Sequence, residues 1–246
     1  MASAMAAAHD VLAAAVDIDV GIAILDREGG DRAVNGGASV SVPSASLAKI
    51  ILATDIIDRS RAASTPIGPR DLDLIRRALG PSDDAAMNEL WTRFDGPDAI
   101  ERISSRLGLS GTNPPEYPAS WGETTTTAVD IVAVFDHIAD MPAPDRDLLT
   151  SALAAAPPVA ADGFPQAFGL LSPDNDMTVV VKQGWMYLGD LFYLHTAGLV
   201  GDSARYVAAL LTVHGTQLGP ALLRQSIDDA ARSITHTLRD GDQQAL

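Results

Sequence analysis

Residues 43–52 read PSASLAKIIL, and one residue in that run conflicts with its surroundings. Leu47, Ile50, Ile51 and Leu52 are spaced as the buried face of a helix, yet Lys49 sits among them. A buried ammonium is costly unless it finds partners or gives up its proton. Ser46 stands three positions before it, so on a helix the hydroxyl and the amine share one face. A desolvated lysine is a base, and a serine hydroxyl is a weak nucleophile until a base takes its proton. If Ser46 opens the helix behind Pro43, the helix N-terminus would also favour a developing oxyanion. A plainer reading makes Ser46 a cap and lets Lys49 reach the surface, and S-x-x-K by itself does not separate the two.

Two more stretches bear on that choice. PSDDAAMNELW places Ser82, Asp83 and Asp84 at a Pro-led turn before a helix. VVVKQGWMY places Lys182, Gln183, Gly184 and Trp185 at the end of an apolar strand. The order S-x-x-K, then S-D-x, then K-x-G resembles the three-part signature of active-site-serine penicillin-recognising enzymes. The chain is similar to the class A β-lactamase and D,D-peptidase superfamily of serine hydrolases over about residues 20–238. Pro43 before the serine, Asn88 in the S-D-D segment and ETTTTAVDIVAVF add to the likeness.

The resemblance implies roles. Ser46 would be the acylated nucleophile, Lys49 its base or proton relay, and Ser82 a proton shuttle toward the leaving nitrogen. Lys182 would hold the field of the site and bind a substrate carboxylate. Asp84, Gln183, Gly184 and Trp185 would line the substrate site, with the N–H groups of Ser46 and Trp185 forming an oxyanion hole. It implies no cofactor and no metal, and a small-molecule or peptidoglycan-like substrate. It also implies a secreted or cell-envelope protein whose export signal was removed ahead of residue 1, although composition leaves the cytoplasm open.

Three departures qualify the likeness. Asp84 replaces an asparagine, and a carboxylate there would pair with Lys49 and hinder it as a base. Gln183 replaces a small hydroxyl residue, so only its longer amide would reach a substrate carboxylate. The segment GTNPPEYPASWG lacks the family's E-x-x-L-N loop, leaving Glu116 as the sole deacylation candidate in it, and its plainer reading is a residue of a solvated loop. The expected function is therefore an active-site-serine hydrolase or acyl-transferase on an amide or ester, a β-lactam or a peptidoglycan-related peptide, with inefficient deacylation. The alternative is a catalytically weakened protein of this fold, acting as a binding or envelope-structural module.

The rest of the chain supplies the frame. Residues 20–37 read as a strand, a Gly-rich turn and a second strand. From Ser46 to about Ile138 the periodicity is helical, broken by Gly and Pro. A Pro/Ala-rich stretch follows, then three strand-like runs and a helix with Leu223, Ile227, Ala231, Ile234 and Leu238 on one face. Residues 1–16 read as an amphipathic helix without the basic start of a signal peptide. The fold class expected is α/β (α+β): an antiparallel sheet from both chain ends, 1–45 and 160–246, with a helical subdomain, 46–159, inserted between them.

Composition narrows the function classes. A net charge of −15 over 246 residues argues against nucleic acid and anionic membranes as partners. No apolar run reaches membrane-spanning length. The absence of cysteine removes disulfides, thiolate metal sites and a cysteine nucleophile. The five histidines show no metal-ligand spacing. His195 reads as a core or cleft-edge histidine, Trp91 as core, and Trp185 as a cleft wall.

Overall fold

The computed structural model describes residues 1–13, 18–216 and 219–244. The chain begins with helix α1 (Ala2–Ala13), followed by strands β1 (Ile18–Asp26), β2 (Arg32–Val34) and β3 (Val42–Pro43). Six helices come next: α2 (Ala48–Arg61), α3 (Pro69–Leu79), α4 (Asp84–Arg93), α5 (Gly96–Leu107), α6 (Ala128–Asp140) and α7 (Ala143–Ala154). Strand β4 (Thr125–Thr126) precedes α6. Strands β5 (Val179–Leu188), β6 (Leu191–Val200) and β7 (Tyr206–Gly215) then lead into helix α8 (Pro220–Gln244). The expected N-terminal helix is present, and its residues 14–16 lie outside the described residues.

The main sheet is antiparallel in the order β2-β1-β7-β6-β5, so the two chain ends meet at the β1–β7 pair. Its register sets Ile24 against Ala208 and Gly184 against His195. Because side chains alternate along a strand, each strand feeds two cores. Ala23, Leu25, Ala197, Leu199, Val207, Ala209 and Leu211 pack toward α2 and α6. Ile22, Ile24, Phe192, Leu194, Ala208 and Leu210 pack on the other face, beneath α1 and α8. A sheet covered on both faces buries nearly every strand residue, which explains why β6 and β7 read as continuous apolar runs. Leu223, Ile227, Ala231, Ile234 and Leu238 all lie in that second core, as their spacing predicts.

Three elements escaped the sequence pattern. Helix α7 occupies the Pro/Ala-rich stretch, starting just after Pro142 and taking Pro144 in its first turn, where a missing N–H costs nothing. The two-residue strands β3 and β4 pair Val42 with Thr126 and Pro43 with Thr125. The threonine run thus serves two structures, since Thr127 then caps α6 by accepting from the Asp130 N–H at 3.0 Å. These contacts tie the approach to Ser46 onto the start of α6.

Trp91 is core: its Nε1 donates to the Pro118 carbonyl at 2.7 Å, and its indole lies against Gly96. A Cβ on Gly96 would sit 2.0 Å from Trp91 Cδ2, far inside contact distance. Gly96→Ala is expected to cost about 2 kcal/mol through overpacking, read as a lower urea midpoint at constant slope. An unchanged midpoint would show that the indole has room to move.

Candidate active site

Ser46 lies in a single 3-10 turn, Ala45–Leu47, that leads straight into α2. Ala45 before it takes a left-handed conformation with φ 48°, which is unfavourable for alanine and turns the chain sharply at Ser46. The turn is held from three sides. The Ser44 N–H donates to the Thr124 carbonyl at 2.7 Å, and Leu47 N–H to the Ser44 carbonyl at 3.0 Å. From the sheet, His195 Nε2 lies 2.9 Å from the Pro43 carbonyl, while the Thr212 N–H points at His195 Nδ1 at 3.2 Å. A backbone N–H can only donate, so Nδ1 accepts and the ring proton sits on Nε2, aimed at Pro43.

One turn on, Lys49 is buried with 1 % of its surface exposed. Its Nζ meets Ser46 Oγ at 3.0 Å, Ser82 Oγ at 3.0 Å, the Ser82 carbonyl at 2.7 Å and Asp84 Oδ1 at 2.7 Å. The Trp121 ring covers it, with Nζ 4.9 Å from the ring centroid. Ser82, before α4, is itself left-handed with φ 57°. Asp83 after it caps α4, accepting from the Ala85 and Ala86 N–H groups at 2.8 and 3.2 Å. The middle residue of S-D-D is thus structural, and it aims its two neighbours at Lys49.

Lys182 reaches the same point from β5. Its Nζ lies 3.0 Å from Ser82 Oγ and 2.9 Å from the Gln183 carbonyl, and it is buried. Burial lowers the Lys182 pKa well below its ordinary value, and the charge of Lys49 pushes it the same way. Burial also lowers Lys49, and it outweighs the opposing pull of Asp84. The reason is geometric: Lys49 is wholly enclosed, whereas the Asp84 side chain is 57 % exposed and its charge is partly screened by water.

The expected residues divide into those brought together and those that are not. Ser46, Lys49, Ser82, Asp84 and Lys182 form one hydrogen-bonded cluster, with Ser82 Oγ bridging both lysines. Gly184 lets the edge strand lie against the serine turn: a Cβ there would fall 3.4 Å from Ser46 N and 3.0 Å from the Ser44 carbonyl oxygen. Trp185 lines the cleft over Ser46 and stacks on Phe164 with ring centroids 4.6 Å apart. Gln183 does not reach the cleft. It alternates to the opposite face, is 1 % exposed, and its Nε2 donates to the Phe168 carbonyl. Its expected contact with a substrate carboxylate is therefore corrected by strand alternation.

Glu116 is exposed on its loop, as its plainer reading has it, and does not line the cleft, which removes it as a deacylation candidate. The carboxylates that do line it are Asp84, Glu123 and Asp162. Glu123 opens the ETTTT run and was legible as part of that segment. Trp121 and Asp162 carried no periodic or motif signal, and Asp162 is placed by accepting from Trp185 Nε1 at 2.9 Å. The cleft holds about 390 Å³.

A model of the β-lactamase enzyme family (Beta-lactamase2) matches residues 69–240, most of the chain. The protein belongs to this family. The matched segment takes in Ser82 and Lys182 and begins after the Ser46 turn. Among curated relatives, the provisionally named lipoprotein LppW of Mycobacterium tuberculosis is 28 % identical over 227 residues, covering 90 % of this chain and 71 % of LppW. The same figures hold for LppW of Mycobacterium bovis. Solved structures share the fold. A β-lactamase from Chitinophaga pinensis superposes with a TM-score of 0.76 at 15 % identity, covering 96 % of this chain and 99 % of that one. A point mutant of PBP-A, solved as an acyl-enzyme complex with penicillin G, gives 0.75 at 18 % identity and 96 % coverage of both chains. The family member described here is thus divergent in sequence and close in architecture. No helix among its described residues is long and apolar enough to cross a membrane.

His195 makes the site's scaffold sensitive to acid. Burial depresses its pKa from 6.5 to about 4, so the folded state resists a proton that the unfolded chain accepts. Its contribution is whole above pH 6.5 and is lost as pH falls toward 4, amounting to on the order of 3 kcal/mol. Urea unfolding between pH 7 and 4.5 is expected to show a steeper loss in the wild type than in His195→Gln. Equal slopes would remove His195 as the cause.

Proposed function

We propose that the protein is an active-site-serine hydrolase or acyl-transferase acting on an amide or ester. The observation that carries this reading is the relay Ser46 Oγ–Lys49 Nζ–Ser82 Oγ–Lys182 Nζ, each step 3.0 Å. Lys49 meets four oxygens, one more than its nitrogen can engage at once in either protonation state. Burial favours the neutral amine, whose lone pair would accept the Ser46 proton. Ser46 Oγ would attack the substrate carbonyl carbon as its proton passes to Lys49. The N–H groups of Ser46 and Trp185 would hold the oxyanion. Collapse of the tetrahedral intermediate would break the bond to the leaving nitrogen or oxygen, which takes a proton through Ser82 Oγ. Water would then release the acyl group from Ser46. In this reading the cleft lies between the helical segment 46–159 and the sheet built from 1–45 and 160–246. The lipoprotein name of the relative supports a place in the cell envelope.

The Asp84–Lys49 contact at 2.7 Å favours a second reading, a weakened member of the fold that binds without turnover. Its carboxylate favours the ammonium form, which cannot act as base. One experiment separates the two. Intact-mass spectrometry after incubation with an alkyl fluorophosphonate is expected to show one persistent adduct on the wild type and none on Ser46→Ala. An adduct surviving on Ser46→Ala would overturn the nucleophile assignment, and a folded wild type inert to the reagent would favour the binding module.

Asp84 also sets the pH profile. Acylation needs neutral Lys49, so its rate rises with pH through the Lys49 pKa, which Asp84 pulls upward. Asp84→Asn is expected to move that rise to lower pH and to speed acylation at pH 7 by about tenfold, one pH unit of displacement. An unmoved profile in stopped-flow labelling would show that Asp84 does not limit Lys49.

A further inference from the structure

The cleft over Ser46 has a charge pattern that selects what can enter it. Three carboxylates, Asp84, Glu123 and Asp162, stand among its lining residues, and no arginine, lysine or histidine does. Lys49 and Lys182 lie beneath this surface, enclosed and already engaged by Ser46, Ser82 and Asp84. Among the described residues Glu123 meets no cation, and the Asp162 carboxylate accepts only from the Trp185 indole N–H and the Phe164 backbone N–H. The side chain that would have met a substrate carboxylate, Gln183, points into the opposite core.

The remaining walls are aromatic. Trp121, Trp185 and Tyr187 line the same cleft. Trp185 is fixed by stacking on Phe164, and Tyr187 by stacking on Phe192 with centroids 4.3 Å apart. Rigid aromatic faces beside carboxylates attract organic cations through both the ring quadrupole and the full charge. An anionic substrate group meets repulsion from all three carboxylates and has no counter-charge at the surface. The overall charge of −15 adds to that repulsion at long range.

We propose that this cleft takes substrates bearing a cationic amine or quaternary ammonium group, and rejects those that present a carboxylate. This rests on the reading of the cleft as the acyl-transfer site. The serine cluster defines where bonds would be made, while Asp84, Glu123 and Asp162 define which amide or ester arrives there. A positively charged group beside Asp84 would also compete with Lys49 for that carboxylate and lower the proton affinity of Lys49. The right substrate would thereby help to make its own base.

Binding tests this without requiring turnover. Two of the three tryptophans, Trp121 and Trp185, line the cleft, so intrinsic fluorescence reports occupancy directly. Benzylammonium, benzyl alcohol and benzoate are matched in shape and differ in charge. Benzylammonium is expected to saturate the signal with a Kd about tenfold below that of benzyl alcohol, and benzoate to bind more weakly than either. Raising NaCl from about 20 to about 500 mM is expected to narrow the gap. The double variant Glu123→Gln, Asp162→Asn is expected to bring the benzylammonium-to-alcohol ratio close to one. Benzoate binding as tightly as benzylammonium, or a ratio untouched in the variant, would overturn the proposal. Fluorophosphonate labelling of Ser46 reports separately on the nucleophile. Labelling without cation preference would sink the specificity alone, and cation preference without labelling would sink the acyl-transfer reading alone.

Discussion

A lysine with no access to water must be surrounded, and the environment of Lys49 organises this molecule. The Born cost of enclosing an ammonium is large, and it is offset only when oxygen atoms replace the lost water. Here they come from three separate places: Ser46 before α2, Ser82 in the turn before α4, and Asp84 in the first turn of α4. The lysine is therefore satisfied only when α2, α4 and the turn between α3 and α4 are all packed. Lys182 then arrives from the sheet and shares Ser82 Oγ. The polar cluster links helices to sheet at the point where an apolar core would otherwise run uninterrupted.

That linkage has a conformational cost at two residues. Ala45 and Ser82 both take left-handed backbone conformations next to the cluster, at φ 48° and 57°. Each costs about 1 kcal/mol against folding and persists because surrounding contacts hold it. For Ala45 these contacts include His195, Thr124 and the edge strand β5, which lies so close that a side chain at position 184 would crowd the Ser44 carbonyl. Strain and rigid support at one place are the arrangement expected where a hydroxyl must be held in a single orientation.

The electrostatics have two layers. In the floor of the cleft, desolvation lowers both lysines toward neutrality. On its walls, carboxylates and aromatic rings remain exposed to solvent and to substrate. The serines and lysines of the floor resemble the motif residues of the penicillin-recognising enzymes. Asp84 on the wall and Gln183, turned away from the cleft, depart from that pattern.

Local chemistry made much of this legible in advance. The hydrophobic spacing around Lys49, the strand-turn-strand pattern of residues 20–37 and the stripe of α8 each follow from side-chain burial and turn chemistry, which a one-dimensional pattern records. The cluster residues Ser46, Lys49, Ser82 and Lys182 were recognisable because their motifs resemble those of the penicillin-recognising enzymes, although Lys182 lies inside β5 rather than at the end of its strand. Helix α7 was hidden because Pro142 and Pro144 at its start, and Pro157 and Pro158 beyond its end, read as loop signals although a helix tolerates them there. Gln183 was misplaced, and the deacylation alternative for Glu116 fails, for a different reason. Which face of an edge strand meets the cleft, and which loop carboxylate leans over it, depend on how β5 docks against the serine turn. Asp162, Trp121 and Glu123 entered the site in the same way, through contacts between segments far apart in the chain. Sequence by itself determined most of the elements and set Ser46 and Lys49 on one helix face, because those follow from neighbours three or four residues away. Only the tertiary structure decided the charge of the cleft wall, because that depends on which distant side chains are left facing water once every strand has chosen its register.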